Sequence, residues 1–144
     1  MFGPHLMLDC YECDKEKLGN EKFILNFLNE LPELLSMHII HEPFIIPYEE
    51  NSETWDKGGI SAVVIIAESH ISIHTFPEND SYATIDLFSC KDFDIESAIN
   101  FVMEKLNPKK IERNLIFRGK HFPKDKYATS KIIREQRKNI KDSN

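Results

Sequence analysis

Residues 60–90 read ISAVVIIAESHISIHTFPENDSYATIDLFSC. Apolar and β-branched residues alternate through this stretch and Pro77–Ser81 interrupts them with turn chemistry, so strands are expected over Ile60–Ala67, His70–Phe76 and Tyr82–Cys90. Connections this short join antiparallel neighbours, which makes the sheet mostly antiparallel. Towards the N-terminus, His5–Glu12 alternates as a first strand and Asn20 caps a helix whose apolar stripe is Ile24, Phe27, Leu28 and Leu31. Pro32 should break or restart that helix. His38–Ile46 is expected to be extended, and Pro47–Gly59 to be a long polar loop. Towards the C-terminus, Asp94 caps a helix carrying Ile95, Ala98, Ile99, Val102, Met103 and Leu106 on one stripe, and Lys110–Arg118 reads as a sixth strand. Tyr127–Ile140 reads as a basic helix or a frayed tail.

The order β-α-β-β-β-β-α-β predicts an α/β (α+β) two-layer sandwich: a mostly antiparallel sheet with helices on one face. Val63, Ile65 and Phe88 alternate with Val64, Ile66 and Leu87, so both faces of the sheet are apolar near its centre. Helices can cover one of them. The other calls for a second chain, and sheets packed face to face in a homodimer are expected. One domain over residues 1–122 accounts for this pattern, with 123–144 as a basic tail.

The net charge of −6 argues against a nucleic-acid coat, although nine of the 18 Lys and Arg residues lie from Arg118 onward. The acidic body either favours a cationic small substrate or simply keeps the protein soluble. No apolar run approaches the ~20 residues that span a bilayer, and Met1–Asp9 lacks the order of a secretory signal. A cytoplasmic protein with no membrane partner is expected. Three cysteines fit a reducing compartment and give no disulfide framework; Cys10 and Cys13 form a CxxC, but a structural zinc site wants four ligands.

His70, Ser72 and His74 recur at a period of two and share one face of their strand. The plainest account is a solvated face with Ser72 and Thr75 as β-formers. A hydrolase triad has no GxSxG elbow to support it, and zinc at His70, His74 and Glu78 has no HExxH.

GISAVVIIAESHISIHTFPE followed by YATIDLFSC resembles the core of the prokaryotic S-adenosylmethionine decarboxylase family. The resemblance runs from GPHLMLDCYEC through EKFILNFLNEL to Arg118–Gly119 and stops before the basic tail. It implies a proenzyme that cleaves itself at Glu68–Ser69, turning Ser69 into a covalent pyruvoyl cofactor and leaving fragments 1–68 and 69–144. Decarboxylation leaves an electron pair that no ordinary side chain can accept, which is why a carbonyl cofactor forming a Schiff base with the substrate amine is needed. By the same resemblance Ser61 stabilises the oxyanion of processing, His74 removes the α-proton of Ser69, and Cys90 protonates the product carbon. Glu78 matches the acid that holds the ribose, while Trp55, six residues before Ser61, matches an aromatic that stacks on adenine and attracts the sulfonium across the dimer.

Two departures from the family pattern stand out. The common FxPQG before GIS is WDKGG here, after a longer FIIPYEENSET, and Phe76 stands where HTWPE is common. Related pyruvoyl enzymes act on arginine or ornithine, and Glu49, Glu50, Glu53 and Asp56 in the altered loop could meet such a cationic tail. A non-catalytic regulatory paralogue is the other alternative; it would have no physical reason to keep Ser61, Glu68, Ser69, His74 and Cys90 together.

Overall fold

The computed structural model describes residues 1–50 and 53–127. Its elements are β1 (Gly3–Tyr11), α1 (Lys15–Leu18), α2 (Glu21–Leu34), β2 (Phe44–Tyr48), β3 (Gly59–Ile66), β4 (Ser69–Phe76), β5 (Tyr82–Ser89), α3 (Ile95–Leu106) and β6 (Lys110–Arg118). The six strands form one sheet in the order β2-β3-β4-β5-β1-β6, and every neighbouring pair is antiparallel. The layer architecture therefore follows the expected α+β plan.

Alternation divides each central strand cleanly. Leu6, Leu8, Val64, Ile66, Ile71, Ile73, Ile85 and Leu87 are buried with Ile24, Phe27, Leu28 and Leu31 of α2 and Ala98, Ile99 and Val102 of α3. Side chains one position along point to the opposite, outer face, where the register aligns Ile65, His70, Phe88, His5 and Ile116 in one cross-sheet row. Phe44, Ile46 and Ile116 leave much of their surface exposed on that side.

Helix ends follow the polar caps. Asn20 accepts from the Phe23 N–H at 3.0 Å and Asp94 from the Ser97 N–H at 3.0 Å, each satisfying an otherwise orphaned donor. Asp14 caps the short α1, which periodicity alone did not reveal because four residues carry no repeat.

Three expectations need correction. Pro32 does not break α2, which continues to Leu34; the ring forfeits only the bond its own N–H would make, bonding resumes beyond it with the Leu35 N–H donating to the Leu31 carbonyl at 3.2 Å, and it is buried in the core. Within the expected strand His38–Ile46 only Phe44–Ile46 is strand, preceded by a single bridge from Ile39 to Ile66, and β2 instead runs on through Pro47 to Tyr48. An edge strand tolerates that proline because its missing N–H can point away from the sheet. Thr75 is not a surface residue: it faces the helices, where its Oγ1 donates to the Leu18 carbonyl at 2.8 Å and accepts from the Ile60 N–H at 3.0 Å. Apart from Tyr127, the expected helix Tyr127–Ile140 lies outside the described residues.

Candidate active site

The turn between β3 and β4 consists of Ala67 and Glu68 alone. Two-residue hairpin turns match the strand twist when a central residue takes a positive φ, but neither does here; instead Ser69, the first residue of β4, has φ 149°. Positive φ is uncommon for a residue with a Cβ, and such strain costs about 1–3 kcal/mol. It sits on the Glu68–Ser69 peptide.

The surroundings hold that peptide from both sides. The Glu68 carbonyl accepts the Cys90 backbone N–H at 2.8 Å, an interaction that polarises it and would stabilise an oxyanion there. Glu68 is a buried residue at 7% exposure, and its carboxylate takes the His38 backbone N–H at 3.0 Å and His38 Nδ1 at 2.7 Å. Burial pushes the Glu68 carboxyl up, but the hydrogen bonds to His38 outweigh it and hold the group below its ordinary value. Ser69 pairs with Ser89, so Cys90, a partly exposed free thiol, stands one residue beyond the partner of Ser69. A Cβ on Gly3 would run into the Ser89 carbonyl, so glycine lets β1 approach this end of β5.

The remaining expected residues gather at the other end of the sheet. Ser61 and His74 face each other across β3 and β4, with Ser61 Oγ 2.9 Å from His74 Nδ1. This hydroxyl–imidazole pair can pass a proton. It borders a cavity of about 260 Å³ lined also by Tyr48, Asp56, Gly59 and Phe76. A Cβ on Gly59 would meet the Thr75 carbonyl, which accounts for glycine beside the pair.

The Trp55 ring lies 5.8 Å from Phe76, Phe76 stacks on Tyr82 at 5.8 Å, and Tyr82 meets Tyr11 at 5.2 Å. Trp55 is 71% exposed. Glu78 pairs with Lys15 at 2.8 Å, both side chains largely in solvent, and a diol would have to displace that lysine.

His74 is five residues from Ser69 on one strand, about 16 Å at the usual rise. Within one chain the structure therefore separates Glu68, Ser69 and Cys90 from Ser61, His74, Phe76, Trp55 and Glu78. Between the two groups lie Ser72 and Asp86, paired in register, and a His5–Asp86 contact of 3.0 Å. His70 flanks this centre, its imidazole kept below its ordinary value first by burial and then by His5.

Cys10 and Cys13 are buried; hydrogen bonding between the thiols raises Cys10 and lowers Cys13. Among the described residues no group of three His, Cys, Asp or Glu side chains could hold a metal ion, and no helix is long and apolar enough to cross a membrane.

Sequence reasoning missed three contributors. The Cys90 N–H is a backbone group and leaves no trace in residue identity. His38 lies 30 positions from Glu68 in a segment with no motif. Lys124, whose Nζ donates to the Cys90 carbonyl and to the Phe2 carbonyl, belongs to a helical turn over 124–127 at the start of the supposed tail.

Residues 4–119 match the family described as S-adenosylmethionine decarboxylase. The S-adenosylmethionine decarboxylase proenzyme of Clostridium botulinum (strain Langeland) is 37% identical over 119 residues, covering 82% of this chain and 95% of the relative. That of Pyrobaculum arsenaticum is 36% identical over 111 residues, covering 76% and 82%. The crystal structure of the adenosylmethionine decarboxylase from Aquifex aeolicus VF5 superimposes with a TM-score of 0.65 at 30% identity, covering 82% of this chain and 91% of that one. A matched stretch that spans the whole sheet and both clusters of polar residues leaves one conclusion: the chain belongs to the S-adenosylmethionine decarboxylase family.

Proposed function

We propose that the chain is a proenzyme that cleaves itself between Glu68 and Ser69 and then, as a homodimer, decarboxylates S-adenosylmethionine to the aminopropyl donor used in polyamine synthesis. The observation that carries this reading is the strained Glu68–Ser69 peptide with its carbonyl on the Cys90 N–H. Ser69 Oγ attacks the Glu68 carbonyl carbon, the C–N bond breaks, and an ester joins Glu68 to Ser69 through oxygen. Removal of the Ser69 α-proton expels the Glu68 carboxylate and leaves dehydroalanine. Its hydrolysis, with loss of ammonia, gives the pyruvoyl group at the head of fragment 69–144.

That group, once made, supplies the electron sink for decarboxylation. The residues around it fit: Ser69 is its source, and the Cys90 thiol is near enough in register to serve as the acid that protonates the product carbon. His74 serves as the base for the α-proton, and Ser61 assists the oxyanion. Both lie about 16 Å along the hairpin from the Ser69 of their own chain, so they act on the Ser69 of a second chain.

A two-fold axis across the strands near Ser72 would lay the outer faces together and bring the cleavage end of each chain to the Ser61–His74 end of the other. The exposed apolar residues Phe44, Ile46 and Ile116 support burial of that face. Trp55 and Phe76 then offer aromatic surface to the adenine and sulfonium, and Glu78 an acceptor for the ribose hydroxyls. Three free thiols favour a reducing cytoplasm as the setting.

Mass spectrometry of the purified protein should show fragments 1–68 and 69–144, the second beginning with a ketone. Carbon dioxide release should be seen with S-adenosylmethionine and not with arginine or ornithine. A single intact chain of 16.8 kDa with no release from any of the three would point instead to a regulatory paralogue.

A further inference from the structure

The turn that carries the cleavage site is fastened to a segment no catalytic role accounts for. His38 follows α2, and three hydrogen bonds join this one residue to Ala67 and Glu68. Its carbonyl accepts the Ala67 N–H at 2.8 Å, its own N–H donates to Glu68 Oε2 at 3.0 Å, and its Nδ1 sits 2.7 Å from Glu68 Oε1. The adjoining Ile39–Ile66 bridge and the Ile40 N–H donating to the Ile65 carbonyl at 3.1 Å continue the attachment.

Packing does not explain the imidazole, because the His38 side chain is 74% exposed whereas that of Glu68 is only 9% exposed. The ring caps a buried carboxylate from the solvent side. A two-residue turn without a positive φ in its centre would relax by rotating the Glu68–Ser69 peptide, and that rotation would swing the Glu68 carbonyl away from the Cys90 N–H. With both carboxylate oxygens and the Ala67 N–H tied to residue 38, the rotation is blocked.

We infer that His38 is a positioning residue for self-cleavage: it holds Glu68 so that the scissile carbonyl stays on the Cys90 N–H while Ser69 keeps its strained conformation. The inference rests on the reading that the chain cleaves itself at Glu68–Ser69. His38 touches neither reacting atom, so its effect should fall on the rate of processing.

The test follows cleavage of freshly translated chains over time on denaturing gels, for wild type, His38→Ala and His38→Asn, with melting curves of each substitution in the uncleavable Ser69→Ala background. Displacement of a reacting group by an ångström can cost about a hundredfold, so His38→Ala should slow cleavage at least about tenfold with its melting temperature nearly unchanged. The Asn amide nitrogen can occupy the place of Nδ1 and should restore the rate to within about threefold of wild type, because the same hydrogen bond is regained. Combining His38→Ala with Glu68→Gln should slow cleavage no more than the slower single variant.

Wild type cleaving no faster than His38→Ala would overturn this inference alone. So would slowing that merely tracks a fall in melting temperature, or an Asn variant as slow as Ala. A wild-type chain that stays whole would overturn the cleavage reading and this inference with it.

Discussion

The two ends of the outer sheet face differ in how they hold their polar groups. At the β3–β4 turn the groups are largely backbone or buried: the Glu68 carbonyl on the Cys90 N–H, and a buried carboxylate fixed by His38. At the opposite end they are side chains on loops and strand ends, with Ser61 and His74 open to a cavity, Trp55 71% exposed and Glu78 in a surface ion pair. In the proposed reading, the bond that breaks once, at one place, is set by the fold itself. The same reading leaves recognition of a substrate that comes and goes to exposed side chains, and the departures from the family pattern, WDKGG and Phe76, fall at that end.

The largest effect tests the fixed end. Ser69→Ala removes the nucleophile and should leave a single uncleaved chain on a denaturing gel, with no decarboxylation at all. Cleavage of that variant at the same bond would break the contrast outright.

Whether the two ends serve each other across chains can be tested by complementation. His74→Ala alone should stall as an ester that hydroxylamine cleaves. Co-expressed with Ser69→Ala, which retains its own His74, the His74→Ala chain should be processed in mixed dimers. No rescue would mean that His74 acts within its own chain or not at all.

Next in size, Cys90→Ala keeps the backbone N–H that polarises Glu68 but loses the thiol. It should process normally, and turnover should fall about 10²–10⁴-fold, the usual effect of losing a general acid. Wild-type turnover would reduce Cys90 to its backbone.

At the exposed end, Trp55→Ala should raise KM about thirtyfold with little change in kcat, as expected for loss of a desolvated cation–π contact of about 2 kcal/mol. An unchanged KM would remove Trp55 from the site.

The smallest effect is on stability. The Glu68 carboxyl lies below its ordinary value in the folded chain, so the stability it contributes is present above the ordinary glutamate range and is lost as pH falls through the lowered folded value. In the Ser69→Ala background, the melting advantage of Glu68 over Glu68→Gln should therefore narrow on acidification. A gap that widens in acid would contradict the direction of the shift.

Much of this contrast was legible in the residues. Period-two alternation located β3, β4 and β5, and the apolar stripes with Asn20 and Asp94 located α2 and α3, because burial on one side writes itself into residue type. Even the separation of Ser69 from His74 follows from five steps along one strand at about 3.3 Å each. What stayed hidden depends on contacts distant in sequence: which backbone N–H meets the Glu68 carbonyl, and that His38 should reach across 30 positions. The segment from 38 to 43 looked extended because its β-branched residues satisfy strand propensity, yet it makes only one bridge to the sheet. Pro32 misled in the other direction: it costs one hydrogen bond, but bonding resumes beyond it and its ring is buried in the core.

The strand order gives the proposed cut at Glu68–Ser69 a physical consequence. Fragment 1–68 owns β1, β2 and β3, fragment 69–144 owns β4, β5 and β6, and in the order β2-β3-β4-β5-β1-β6 the β1 of the first fragment is sandwiched between two strands of the second. The uncut chain assembles this interleaved sheet by a unimolecular search. A chain cut as proposed that melts would have to do so by diffusion, with both fragments meeting at finite concentration, so its recovery would depend on dilution. The proposed cut would thus convert an equilibrium fold into a kinetically held one.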